Sequence, residues 1–319
     1  MNTLALQKTN ASYLSIVNDL PLEDYLYYFF KEQDLKDKTI STYNKVYKQF
    51  FKYLSINNIT NPTRIDIINY KESLKTKSPY TISTYITAVR KFFEWTEASG
   101  YYTNIAKGIK GAKLPKGFAK DTLTMTQIKD LLSSINLDSE IGKRDYALLN
   151  LLIMTGLRTI EVERANIEDI RQVGNKSVLY IQGKGRDGKD DFVILTNMTL
   201  KPINDYLKSR IDYTSQSPLF IGASNNGKSR MCVESISRII KTRLRSVGID
   251  SNRLTAHSLR HTAITLSLLA GSSLQEACSL ARHTNIATTQ IYAHNIERLG
   301  EKAPEYKIES FMNDSSNFN

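Results

Sequence analysis

The sequence predicts a mainly α protein with two domains, an all-helical one at the N-terminus and an α+β one behind it with a small antiparallel sheet. Three observations predict this. Apolar residues recur at three-and-four spacing through the first 110 residues, the period of a helix that buries one face. Two β-branched, aromatic-rich runs with a glycine-rich turn between them interrupt the later part. A length of 319 residues, at about 100 to 200 residues per domain, is enough for two cores.

Taken in order, short helices are expected near Leu22 to Lys31 and Arg64 to Leu74. Between them Ile40, Tyr43, Val46, Tyr47, Phe50, Phe51 and Leu54 lie on one helical face, with Thr39 or Ser41 placed to cap it. Ile82, Tyr85, Ile86, Val89, Phe92 and Phe93 repeat the pattern. The stretch Lys107 to Asp121 has three glycines, one proline and five lysines but no period, which marks a linker. The expected boundaries are a helical domain over 1–109, a basic linker over 110–121 and a second domain over 122–319. There Thr124 and Thr126 open a helix, and Asp145 to Met154 forms a strongly apolar one. Ser177 to Gln182 and Asp191 to Leu195 read as strands joined by the turn GKGRDGKD, and everything beyond Val233 is helical in period.

Composition narrows the function. Hydrophobic residues at 41% and charged residues at 24% lie near the globular average, and no apolar run approaches the roughly 18 residues that span a bilayer. The first ten residues show no secretory pattern, and two cysteines, Cys232 and Cys278, suit a reducing cytoplasm. The net charge is +11, and residues 1–120 carry 18 Lys+Arg against 10 Asp+Glu. That excess points to a polyanionic partner. Lys75, Lys77, Arg90 and Lys91 lie around the second aromatic helix, and Lys113, Lys116 and Lys120 lie in the linker, where each can meet a phosphate.

Two motifs compete for attention. Gly222 to Ser229, GASNNGKS, satisfies the phosphate-binding pattern G-x-x-x-x-G-K-[ST], follows a short apolar run and precedes a helix. A P-loop ATPase would also need a parallel sheet and a second acidic strand end, and neither is visible downstream. Gly183 to Asp190 nearly matches too, but ends in Asp190 with a strand after it. All four histidines, His257, His261, His283 and His294, fall within 38 residues. His257, His261, Cys278 and His283 could supply four zinc ligands, although their spacing fits no finger pattern.

The neighbours of those histidines carry more weight. Thr155-Gly156-Leu157-Arg158-Thr159-Ile160-Glu161 sets an arginine after an apolar helix, with an acid three positions on to hold its guanidinium. Ala256-His257-Ser258-Leu259-Arg260-His261 puts His257 and Arg260 on one helical face, and His283 precedes Tyr292 by nine residues in LARHTNIATTQIYAH. Together these resemble the tyrosine recombinase (phage integrase) family, whose signature runs TGLR-x-x-E, H-x-L-R-H, then [LV]-x-H near T-T-x-x-Y. The match spans residues 122 to 295 in the family's order, and the basic helical region resembles the family's SAM-like core-binding domain. The chain departs from the pattern twice: Ala256 stands where proline is frequent, which would loosen the helix start, and Ala281-Arg282-His283 replaces Leu-Gly-His, leaving the role of Arg282 open.

The resemblance implies a site-specific DNA recombinase that works through a 3′-phosphotyrosine and a Holliday junction, as a homotetramer on paired inverted-repeat core sites in the cytoplasm at the nucleoid. Accessory proteins can join it. It implies Tyr292 as nucleophile, Arg158 and Arg260 as phosphate clamps, and His257 and His283 as proton and phosphate partners. The hairpin turn would supply a lysine acid, Lys184 by position, with Lys189 as runner-up and Arg186 beside the DNA. The GASNNGKS loop would lie near DNA, bringing Lys228 and Arg230. A C-terminal tail with Tyr306, Ile308, Phe311 and Met312 would dock on the neighbouring subunit. The chemistry needs no metal and no cofactor: two planar guanidinium forks neutralise the pentacovalent phosphorus, and the phosphotyrosine conserves the ester's energy for rejoining. Mobile-element integration or excision and replicon-dimer resolution both use this reaction. The rival readings are a DNA-binding architectural protein of the same fold without catalysis, and the ATPase.

Overall fold

A computed structural model describes residues 22–115, 121–183, 185–211, 213–222, 229–299 and 304–313. The chain divides into two compact units, Met1–Lys116 and Gly117–Asn319, each with its own core.

In the first unit a short turn, Leu22–Asp24, leads into α1 (Tyr25–Glu32), α2 (Asp37–Ile56), α3 (Arg64–Ser73) and α4 (Pro79–Ala98). The start signals lie in the sequence. Ser78 accepts a hydrogen bond from the Thr81 amide, with Pro79 in the first helical position. Asp66 turns back onto the Thr63 amide, which holds its carboxyl below the usual carboxylate range. Phe29, Tyr47, Phe50, Phe92 and Phe93 are fully buried, mostly edge to face. Two of the polar groups in this aromatic core are matched, the Tyr47 hydroxyl donating to the Ala88 carbonyl at 3.0 Å and the Trp95 indole to Glu32 at 2.8 Å, while the buried Tyr70 hydroxyl has no partner among the described residues. Ala106 and Ile109 are buried in the same core.

The second unit runs α5 (Met125–Ser133), α6 (Glu140–Thr155), α7 (Thr159–Arg164), β1 (Ile170–Val173), β2 (Lys176–Ile181), β3 (Asp191–Leu195), α8 (Asn197–Ser209), α9 (Val233–Ser246), α10 (Ala256–Leu269), α11 (Leu274–Ala281), α12 (Ala287–Leu299) and α13 (Pro304–Asn313). The strands form one antiparallel sheet in the order β1-β2-β3, with Ile170 opposite Leu179 and Ile181 opposite Asp191. Helix α6 is buried all round from Ala147 to Ile153, and apolar there except for Asn150, because it runs through the core against α8 and α10. Thr124 caps α5 together with Gln127. The start of α10 is not loosened by Ala256: Thr255 caps it and donates its amide to the Ser258 hydroxyl at 3.0 Å. Among the described residues no helix is long and apolar enough to cross a membrane.

Candidate active site

The site grows from the C-terminal end of α6. Gly156 closes that helix at φ +60°, a left-handed turn that glycine adopts without strain. Its carbonyl is thereby turned to accept Arg260 Nη1 at 2.6 Å. Leu157 is buried, and Arg158 caps the short α7. Glu161, 1% exposed, accepts the Arg158 backbone amide at 2.8 Å and Arg158 Nη1 at 2.9 Å. The buried acid therefore fixes both the backbone and the guanidinium of Arg158, whose side chain is 30% exposed.

Arg260, on α10, is only 2% exposed and joins the ends of two helices, donating to Gly156 and to the Ala281 carbonyl at the end of α11. Burial, and then the charges of Arg158 and Arg282, bring its pKa down to about 9, so it still carries its charge at neutral pH. The two carbonyls use two of its five donors.

Tyr292, on α12, is packed with Ile264, Ala277 and Ala281 and is 3% exposed. Burial pushes its phenol up to about 12 against the opposing pull of Arg260. Its hydroxyl is hydrogen-bonded to Nδ1 of His261, a histidine that the sequence reading considered only as a zinc ligand. The rings form a series: His257 stands edge-on to His261 with centroids 4.6 Å apart, His261 and Tyr292 are 5.4 Å apart, and His283 stacks beside Tyr292 at 6.4 Å. His283 Nδ1 is bonded to the Thr289 hydroxyl at 2.9 Å. His261 and His283 are each brought down to about 4, chiefly by burial and then by the surrounding histidine and arginine charges. Both are neutral at pH 7, whereas His257 is exposed.

A groove of about 280 Å³ opens beside these groups, lined by Arg158, Glu161, Gly183, Arg186, Arg282 and His283 among others. The β2–β3 turn reaches it through Gly183 and Arg186, while Lys184 between them lies outside the described residues. Lys189 is engaged elsewhere, in an ion pair at 2.5 Å with Asp169, which is buried.

The other expected DNA contacts are dispersed. Lys75, Arg90, Lys91 and Lys113 are exposed; Lys75 pairs with Glu72, and Lys91 lies 4.0 Å from Glu94. Lys77 is half-buried with its ammonium over the Tyr85 ring. Arg186 pairs with Asp190. Arg230 ties down the chain after α7, donating to the carbonyls of Glu163 and Ala165 and to the Asn166 side chain. Lys116, Lys120 and Lys228 lie outside the described residues.

Neither competing motif finds its context. The ends of the GASNNGKS segment are pinched together by the Gly222 amide on the Ser229 carbonyl and by an antiparallel bridge between Ile221 and Arg230, and the unit's sheet is antiparallel throughout. A P-loop instead leaves a parallel strand and enters a helix directly. Cys278 Sγ lies 3.4 Å from the His283 carbonyl, and among the described residues no three His, Cys, Asp or Glu side chains converge as metal ligands.

Two arginines, a tyrosine and histidines gathered on a mixed helical unit match the set that the sequence signature of the tyrosine recombinases led one to expect. The chain belongs to the phage integrase family of tyrosine recombinases and is a site-specific DNA recombinase of the Xer type: the family's model matches residues 121–298, and that of the phage integrase N-terminal SAM-like domain matches residues 22–100. It is 30% identical over 278 residues to tyrosine recombinase XerA of Pyrococcus horikoshii, covering 87% of this chain and 90% of that one. To tyrosine recombinase XerD of Listeria monocytogenes it is 28% identical over 290 residues, covering 87% and 94%. Among solved structures, XerH recombinase bound to palindromic difH substrate superposes with a TM-score of 0.69 at 19% identity, over 88% of this chain and 84% of that one. A lambda integrase tetramer bound to a Holliday junction gives 0.66 at 14% identity, over 90% and 81%. The fold, a SAM-like helical domain and a mixed catalytic domain, is thus the tyrosine recombinase fold.

Proposed function

We propose that Tyr292 cuts duplex DNA by attacking the scissile phosphate, so that a 3′-phosphotyrosine bond forms as the bond to the 5′-oxygen breaks. The observation that carries this reading is the convergence of Arg260, His261 and His283 on Tyr292 from separate segments of the second unit, with Arg158 close to Arg260 and His283. Arg158 and Arg260 neutralise the charge that develops on the non-bridging oxygens, and His283 hydrogen-bonds one of them. The phenol holds its proton at neutral pH, and that proton leaves toward the pair formed by His261, bonded to the hydroxyl, and His257, packed against it. Lys184 protonates the departing 5′-oxygen; the engagement of Lys189 with Asp169 supports this choice within the turn. Attack by a new 5′-hydroxyl then reverses the step without ATP, and exchange between two duplexes passes through a Holliday junction.

The helical domain (1–109), the basic linker (110–121) and the catalytic domain (122–319) each contribute to holding the duplex. Lys75, Arg90, Lys91 and Lys113 contribute phosphate contacts there. Four copies act on two inverted-repeat sites, linked through the tail, in the cytoplasm. The tetramer that lambda integrase, a protein of the same fold, forms on a Holliday junction supports this assembly. The test is a nicked suicide substrate resolved on a denaturing gel with EDTA present and nucleotide omitted. The wild type is expected to form a covalent adduct, and Tyr292→Phe to bind DNA without forming one; an adduct with the phenylalanine variant would overturn the assignment.

A further inference from the structure

Arg282 is out of place by its backbone and well placed by its side chain. It follows α11 at φ 51° and ψ 46°, the left-handed region where glycine is at ease; Asn58 is the other non-glycine residue there among those described. Its side chain is 11% exposed. Nη1 donates to the Leu280 carbonyl at 2.8 Å, and Nη2 to Glu161 Oε2 at 3.0 Å and the Gly156 carbonyl at 3.4 Å. Nε is buried with no acceptor among the described residues.

Glu161 is therefore divided between two arginines. Oε1 accepts Arg158 Nη1, and Oε2 accepts the Arg158 amide and Arg282 Nη2. A carboxylate facing one arginine alone tends to take it fork on fork and uses two of its donors. With Oε2 taken by Arg282 and by the Arg158 amide, the Arg158 guanidinium grips Glu161 through one nitrogen only, and its remaining donors are left for a ligand. Three guanidinium groups against one carboxylate also leave the site electropositive before any phosphate enters.

We propose that Arg282 is a positioning residue for strand cleavage, one that holds Glu161 so that Arg158 keeps its donors for the scissile phosphate. The proposal rests on the recombinase reading above. It also accounts for a strained backbone position occupied by a long side chain: the strain is offset by what the guanidinium does in the site.

Arg282→Gly tests it, because glycine suits the left-handed position and the thermal midpoint should hold or rise. In single-turnover cleavage of the nicked substrate, the variant is expected to bind DNA as the wild type does and to form adduct about 10- to 100-fold more slowly, the scale of a misplaced catalytic group. Arg282→Lys, which keeps a charge able to reach one carboxylate oxygen, should recover part of the rate. In a Glu161→Gln background the Arg282→Gly penalty should shrink, since the two act through one contact. Cleavage by Arg282→Gly at the wild-type rate, a fully additive double variant, or a rate loss that tracks a fall in thermal midpoint would each overturn the proposal. Absence of adduct with the wild type would instead remove the recombinase reading, and this proposal with it.

Discussion

At the scale of single residues, the site is held by neutral histidines, and this has a consequence in acid. His261 and His283 have folded pKa values near 4 against the ordinary 6.5. As pH falls below 6.5 the unfolded chain takes up these protons and the folded one does not. The stability they allow is thus fully present above 6.5 and is lost progressively as pH falls toward about 4. His261 faces His257, Arg260, His283 and Tyr292, none of which supplies a negative charge at that pH. The thermal midpoint is expected to drop across this window. His261→Gln, whose amide can still meet the Tyr292 hydroxyl, should flatten the drop, and an unchanged slope would show that His261 is not the group responsible. The sequence made Arg158, His257, Arg260, His283 and Tyr292 legible because each sits in a spaced motif. It could not show His261 bonded to Tyr292, since that contact joins α10 to α12 across 31 positions. Arg282 was visible only as a departure from glycine, because its partner Glu161 lies 121 residues upstream.

At the scale of elements, helix ends do the positioning. Gly156 ends α6, turns its carbonyl to Arg260 and Arg282, and starts the chain toward Arg158. An alanine there would be forced to φ +60°, with its Cβ 3.4 Å from that of Ala263. The left-handed position alone costs about 1–2 kcal/mol. Gly156→Ala should therefore lower urea stability by roughly that amount, and slow cleavage by more than the small rise in unfolded fraction explains, because Arg260 loses its seat. A cleavage loss no larger than the unfolding accounts for would reduce Gly156 to a stability residue. The long helices were legible from their apolar period, and β2 and β3 from β-branched runs and the glycine turn between them. Three elements were not, the first being α7, whose six residues are too few to show a period. The strand β1 has four residues, three of them exposed, so no alternation marks it and only pairing with β2 makes it a strand. Helix α8 contains Pro202, a residue that argues against a helix interior, yet Thr199, Ile203, Tyr206 and Leu207 bury enough surface against α6 to hold it.

At the scale of the whole molecule, the last helix is the least self-sufficient part. In α13, Tyr306, Ile308, Phe311 and Met312 are 56–61% exposed, and every residue from Glu305 to Asn313 is exposed. A ten-residue helix is marginal in water on its own, because the cost of nucleation is spread over few hydrogen bonds. Apolar side chains spaced along such a segment gain most by covering it with another surface, and the exposure found here argues against packing on its own unit as the whole account. Under the proposed function, in which cuts on two duplexes are coordinated, a second copy of the chain would supply that cover. Truncation after Gly300 removes the segment while keeping Tyr292 and its neighbours. The truncated chain should bind a single site with unchanged affinity and still form the phosphotyrosine adduct, but should assemble paired sites poorly and give little complete exchange. Native gels on one and two sites, followed by a recombination assay, measure these separately. Unchanged pairing and exchange would return α13 to its own unit, whereas loss of adduct would mean that the tail supports the active site it follows in the chain.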